Sequence, residues 1–233
     1  MEIEPQIIYE DNHIIVVIKP HNVSVQEDDS KDPDMLTIIK EYLKKRDEKP
    51  GNVFLGLVHR LDRPTGGVMV FAKTSKAASR LSKQLKDKKL KKHYLCVVNG
   101  KPQLAANRLV TYLKKDEKTN TVRIAPKLEE GSKEAILEYE IVETNLKYSL
   151  IKVNLITGRS HQIRVQMSAQ INCPIYGDFK YGDKEHAGNL ALWAYELTFV
   201  HPTTKENMCF RVAPDYRNRA FKHFETVIEK MIN

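Results

Sequence analysis

His59-Arg60-Leu61-Asp62-Arg63-Pro64-Thr65-Gly66-Gly67 lies between two apolar runs, Val53 to Val58 before it and Val68 to Ala72 after it. One acid sits between two arginines, followed by a proline and two glycines. Proline fixes φ and glycine permits positive φ, so the stretch reads as a tight turn feeding a strand. An acid bracketed by cations stays ionised, and an ionised carboxylate in a defined turn serves as a nucleophile or a base. The plainer reading is that Asp62 only closes the turn, a common task for aspartate.

Outward from that turn, short strands dominate. Gln6 to Glu10 and His13 to Ile18 read as strands separated by Asp11-Asn12, and the polar loop 26–34 follows. Asp34 is placed to cap a helix from Met35 to about Lys45, and Thr74 or Ser75 to cap another reaching about Lys89. Tyr94 to Val98, Arg108 to Leu113 and Thr121 to Ala125 read as strands. Ala135 to Ile141 and Ser149 to Ile156 alternate at period two as an antiparallel hairpin. Residues 160–170 read as helical, 173–189 as loop, Leu190 to Val200 and Met208 to Val212 as strands, and Ala220 to Met231 as a closing helix. The expectation is an α+β fold in a single domain, residues 1–233. It has one large mixed or mostly antiparallel sheet flanked by helices, with a central cleft.

The totals narrow the function. The chain has 233 residues, 41% of them hydrophobic, and a formal net charge of +8. A folded basic protein suits a polyanionic partner, RNA or DNA ahead of a membrane surface. Cys96, Cys173 and Cys209 are odd in number and form no CxxC pair, which argues against a disulfide framework or a cysteine zinc site. They read as reduced thiols of a cytoplasmic protein. Met1 to Pro5 carries no basic-then-apolar leader, and Ile14 to Ile18 is too short to span a bilayer. Monomer is the default, because no interface pattern stands out.

A second stretch carries further chemistry: Leu155-Ile156-Thr157-Gly158-Arg159-Ser160-His161-Gln162-Ile163-Arg164. A strand ends, Gly158 turns the chain, and a helix is expected from near Ser160. Hydroxyls, Arg159, His161, Gln162, Arg164 and helix amides make this a place for an anion, either an RNA phosphate or the Asp62 carboxylate. For His161 alone a satisfied surface histidine is the plainer reading. A third feature is a run of lysines. Lys83, Lys86, Lys88, Lys89, Lys91 and Lys92 place six cations in ten residues, more than a helix C-terminus needs, which points to phosphate contacts.

These stretches together resemble the RluA-type RNA pseudouridine synthase family. His59 to Gly67 is similar to its HRLDxxTSG signature, and Lys92 to Gly100 to its tyrosine strand. Leu155 to Arg164 is similar to TGRxHQIR, and Cys173 to Gly182 to its PIxGDxxYG loop. Trp193 to Pro202 resembles the closing LHAxxLxFxHP strand, and Ile18 to Val25 the early KPxGxxV strand. Gly66, Gln166, Trp193 and His21-Asn22 depart from the family pattern; none of these removes an acid, tyrosine or arginine of the site. The small N-terminal RNA-binding domain of longer members is not expected, because the resemblance begins almost at Met1.

The resemblance implies an isomerase that converts uridine to pseudouridine in structured ribosomal or transfer RNA, without cofactor or metal. Asp62 would be the catalytic acid, with Tyr94 and Arg159 beside it. Arg60, Arg63, Thr65, Ile163, His161, Gln162, Arg164, Lys88, Lys89, Lys91 and Lys92 would contact substrate. Tyr94 and Ile163 are equally explained as strand and core residues. One rival is a non-catalytic RNA-binding or ribosome-assembly protein of the same fold. Another is a glycosylase, which would need a second acid such as Asp178 or Asp183.

Overall fold

The structure is a computed structural model and describes residues 4–48, 50–182 and 188–232. Asp183, the alternative second acid, and Met1 to Ile3 of the leader reading lie outside the described residues. The architecture is α+β, with eleven strands among the described residues, the ladders within each unit antiparallel, and few helices. The chain divides into two compact units.

The first unit holds residues up to Lys91 together with Glu196–Val212. Its centre is β2 (Ile14–Lys19) paired antiparallel with β4 (Gly66–Ala72), in register from Ile14↔Ala72 to Lys19↔Gly67. Every residue of β4 is buried, and Ile14 to Val17 are fully so. This explains a continuous apolar run where a one-faced strand would alternate. β1 (Gln6–Glu10) flanks β2, and the short β3 (Gly56–Leu57) also pairs with β4. Helix α1 (Met35–Arg46) begins where expected, with the Asp34 carboxylate accepting from the Leu36 and Thr37 amides. Helix α2 (Ser75–Lys86) is capped by Thr74, whose hydroxyl accepts from the Ala77 amide.

α2 ends earlier than its charge pattern suggested. Asp87 caps it and Lys88 turns left-handed at φ 55°, so Lys88 and Lys89 lie beyond the helix. In this unit β11 (Asn207–Arg211) pairs with residues 196–200 of β10 (Leu192–Val200).

The second unit holds Lys92–Tyr195 and Ala213–Asn233. β5 (Lys91–Asn99) pairs with β9 (Tyr148–Leu155), β9 with β8 (Lys133–Thr144), β8 with β6 (Ala106–Asp116), and β6 with β7 (Thr121–Ile124). The expected β8–β9 hairpin is present, with Asn145 accepting from the Lys147 and Tyr148 amides at its turn.

Two helical readings change in detail. The segment expected to be helical over 160–170 is helical from Gln162, as α3 (Gln162–Val165) running into a π-helical stretch over Gln166–Gln170. His161, in the left-handed region at φ 51°, delays its start. The expected closing helix is split into α4 (Arg219–Lys222) and α5 (Glu225–Ile232).

Candidate active site

In the first unit the Asp62 turn is held from several sides. The Thr65 amide donates to the Asp62 carbonyl at 2.9 Å, closing the turn, and His21 Nδ1 meets the Pro64 carbonyl at 2.7 Å. Below it, His59 is buried and its Nε2 accepts from the Val70 amide of β4 at 3.2 Å. Thr65 and Leu61 are buried, Asp62 is half-buried and Arg60 is exposed. Gly67, at φ 129°, occupies a conformation that side chains rarely adopt, and so the strand begins directly after the turn.

The residue that anchors this turn is Lys19, which sequence reasoning did not single out. It ends β2 opposite Gly67 and is 0% exposed. Its Nζ donates to the carbonyls of Pro20 (2.9 Å), Val23 (2.6 Å) and Arg63 (3.0 Å). An ammonium has three donors, and all three are used. Burial pushes its pKa down to about 7, while the Asp62 carboxylate pulls it up. The available signal was a lysine closing an otherwise apolar strand.

Arg63 does not bracket Asp62 as the sequence suggested. Its Nε donates to the Asn22 carbonyl, and its terminal nitrogens pair with Asp28 and Asp32 of the acidic loop. One cation interacting with Asp62 is Lys19, while the Arg63 guanidinium turns toward the loop.

In the second unit Tyr94 lies on β5 opposite Val153 and is buried. The Thr157-Gly158-Arg159 turn is tied to β8. The Thr157 amide donates to the Ile136 carbonyl and the Ile136 amide to Thr157 Oγ1, at 3.1 and 2.7 Å. Gln162 Oε1 accepts from Thr157 Oγ1 at 2.8 Å and from the Arg159 amide at 3.1 Å. Gln162 is buried, so it organises the turn from inside. Arg159 is exposed. Its Nε donates to the Glu134 carbonyl at 2.8 Å, which fixes the direction of the guanidinium.

Two members of the donor cluster serve the protein interior. Arg164 is buried and makes a two-pronged ion pair with Asp178, Nε to Oδ2 at 2.8 Å and Nη2 to Oδ1 at 2.7 Å, over the Tyr181 ring. His161 Nδ1 meets Tyr181 Oη at 2.6 Å, and that oxygen accepts from the Val122 amide. Asp178, only 1% exposed, is thereby committed to Arg164 and is a poor second acid for hydrolysis. Ile163 is buried. Lys88, Lys89 and Lys91 are exposed, whereas Lys92 is partly buried.

Comparison with known proteins gives the family and the fold. The pattern described as RNA pseudouridylate synthase matches residues 13–169. The chain is 34% identical to ribosomal large subunit pseudouridine synthase C of Buchnera aphidicola subsp. Baizongia pistaciae, over 97% of this chain and 70% of that protein. It is 33% identical to the enzyme of the same name from Haemophilus ducreyi, over 99% of this chain and 70% of that protein. Among solved structures, human RNA Pseudouridylate Synthase Domain Containing 4 superposes with a TM-score of 0.79 at 20% identity, covering 94% of this chain and 93% of that one. Human RNA Pseudouridylate Synthase Domain Containing 1 gives 0.73 at 21%, covering 97% and 95%. At these identities the two structures speak for the fold.

Proposed function

We propose, from the premise that the chain belongs to the RNA pseudouridylate synthase family and is therefore an isomerase, that its substrate is large-subunit ribosomal RNA and its catalytic group the Asp62 carboxylate. The relatives named above act, by their names, on the large ribosomal subunit. The observation that carries the reading is the anchoring of Asp62. A half-buried carboxylate sits on a turn whose Arg63 carbonyl is held by the buried ammonium of Lys19. A turn that only had to reverse the chain would not need a charge buried beneath it.

Isomerisation breaks the N1–C1′ bond of uridine, turns the base and joins C5 to C1′; the C5 proton leaves and N1 takes one up. Atoms are conserved, so no redox partner or energy source enters. Two routes suit a carboxylate: attack on C1′, or removal of the C2′ proton. Both require the ionised form. In this reading the Tyr94 ring stacks on uracil and its hydroxyl assists loss of the C5 proton. Arg159, at the arginine of the TGR motif, is the cation of this reading. A stacked uridine must leave its helix before C1′ can be reached, at a cost of a few kcal/mol, and exposed Arg60 fills the gap. Action on ribosomal RNA would place the protein in the cytoplasm.

The test is tritium release from transcripts carrying 5-tritiated uridine, with large-subunit ribosomal RNA and transfer RNA compared. Release from the ribosomal transcript by wild type and none by Asp62→Asn is expected. Release from transfer RNA alone would overturn the substrate. Binding without release would make the protein a passive RNA binder, and free uracil would make it a glycosylase.

A further inference from the structure

Lys92 differs from the rest of its cluster. Lys83, Lys86, Lys88, Lys89 and Lys91 are exposed; Lys92 is partly buried. It stands on β5 two residues before Tyr94, so both side chains leave the same face of the strand. Its ammonium reaches the turn after β9: a Cβ built on Gly158 would lie 3.2 Å from Lys92 Nζ. A side chain there would press on the ammonium and make it shift by a few tenths of an ångström.

Among the described residues no carboxylate or other acceptor meets that ammonium, and burial alone holds its pKa below that of an ordinary lysine. A cation partly withdrawn from water without a counter-charge works against folding. Keeping one there makes physical sense if the counter-charge arrives with a ligand. Uracil and ribose are neutral, so the anionic part of the substrate is the backbone phosphate. Beside Gly158, the exposed Arg159 guanidinium has only its Nε engaged among the described residues.

We propose that Lys92, resting against the Gly158 turn, is the seat for one backbone phosphate of the RNA, distinct from the exposed lysines of α2 and the loop after it. This rests on the reading that RNA is the substrate and that Tyr94 meets the base. The ammonium is a point charge with three donors, suited to phosphate oxygens.

The test measures binding rather than turnover, so it is independent of the isomerisation assay. In an Asp62→Asn background, Lys92→Met and Gly158→Ala are compared with the parent for binding to a large-subunit ribosomal RNA transcript over a range of salt. Lys92→Met is expected to weaken binding about tenfold at moderate salt and to lower the slope of log affinity against log salt by about 0.7–0.9, the signature of one phosphate contact. Its unfolding temperature should not fall, because an uncompensated charge is removed. Gly158→Ala keeps the charge but crowds it, and should weaken binding by a smaller factor. Unchanged affinity and slope in Lys92→Met would overturn the proposal. So would a lower unfolding temperature with unchanged binding, which would make Lys92 a packing residue. If Lys92→Met does not fold, Lys92→Gln decides in its place: unchanged affinity and slope in it count against the seat. Tritium release by wild type alongside either negative result would leave the isomerase reading standing.

Discussion

Replacing Lys19 with methionine tests the foundation of the Asp62 turn. The substitution keeps most of the buried volume and removes three donors, from the carbonyls of Pro20, Val23 and Arg63. Each buried carbonyl left without a partner costs about 1–3 kcal/mol, partly offset because a lysine no longer has to be desolvated. The pH dependence gives a sharper signature. Burial brings the Lys19 pKa down to about 7, against the pull of Asp62. The unfolded chain keeps that proton until about pH 10.4. Below pH 7 both states are protonated and the contribution of Lys19 is flat. Between those values the unfolded chain binds more protons, so stability from this residue rises with pH. At about 1.4 kcal/mol per pH unit, wild type should gain about 2–3 kcal/mol over Lys19→Met between pH 7 and pH 9. Urea unfolding of both proteins at the two pH values measures the gap. An unchanged gap would refute the titration argument and leave the three-carbonyl anchor in place: Lys19 would then remain an ammonium in the folded chain, held by its three carbonyls and Asp62 more strongly than burial opposes it.

Three further outcomes are expected. Removing one partner of the buried Arg164–Asp178 pair, by Arg164→Met or Asp178→Asn, should cost about 3–5 kcal/mol in urea unfolding, with the double variant losing less than the sum. Of the three cysteines only Cys209 is exposed, and burial raises the thiol pKa of Cys96 and of Cys173. A thiol reagent should therefore label about one cysteine per native chain, and all of them in denaturant. Arg60→Ala should lower turnover of a structured RNA about tenfold more than that of a flexible single strand, since only the former needs a filler for the vacated stack; equal losses on both would remove that role.

Local chemistry made much of this protein legible without coordinates. Asp34 and Thr74 cap helices because short polar side chains satisfy first-turn amides wherever they stand. The β8–β9 hairpin followed from alternation and a turn at Asn145. The Asp62 turn followed from Pro and Gly. The helix boundaries failed where one residue took an unusual backbone conformation, as at Lys88 and His161, since adjacent side-chain types do not announce a left-handed φ.

The partners of charged side chains were not legible, because such pairs close over long stretches of chain. Sequence adjacency set Arg63 beside Asp62, yet its guanidinium meets Asp28 and Asp32. Arg164 stood in a cluster of candidate anion binders, yet folding gives it to Asp178. Lys19 was an ordinary strand end until three carbonyls gathered around it, and Lys92 one lysine of six until Gly158 approached. Composition and spacing decide which chemistries a chain possesses and which local bends it makes. Only packing, which sets burial and pairing together, decides which of its charges remain for a ligand.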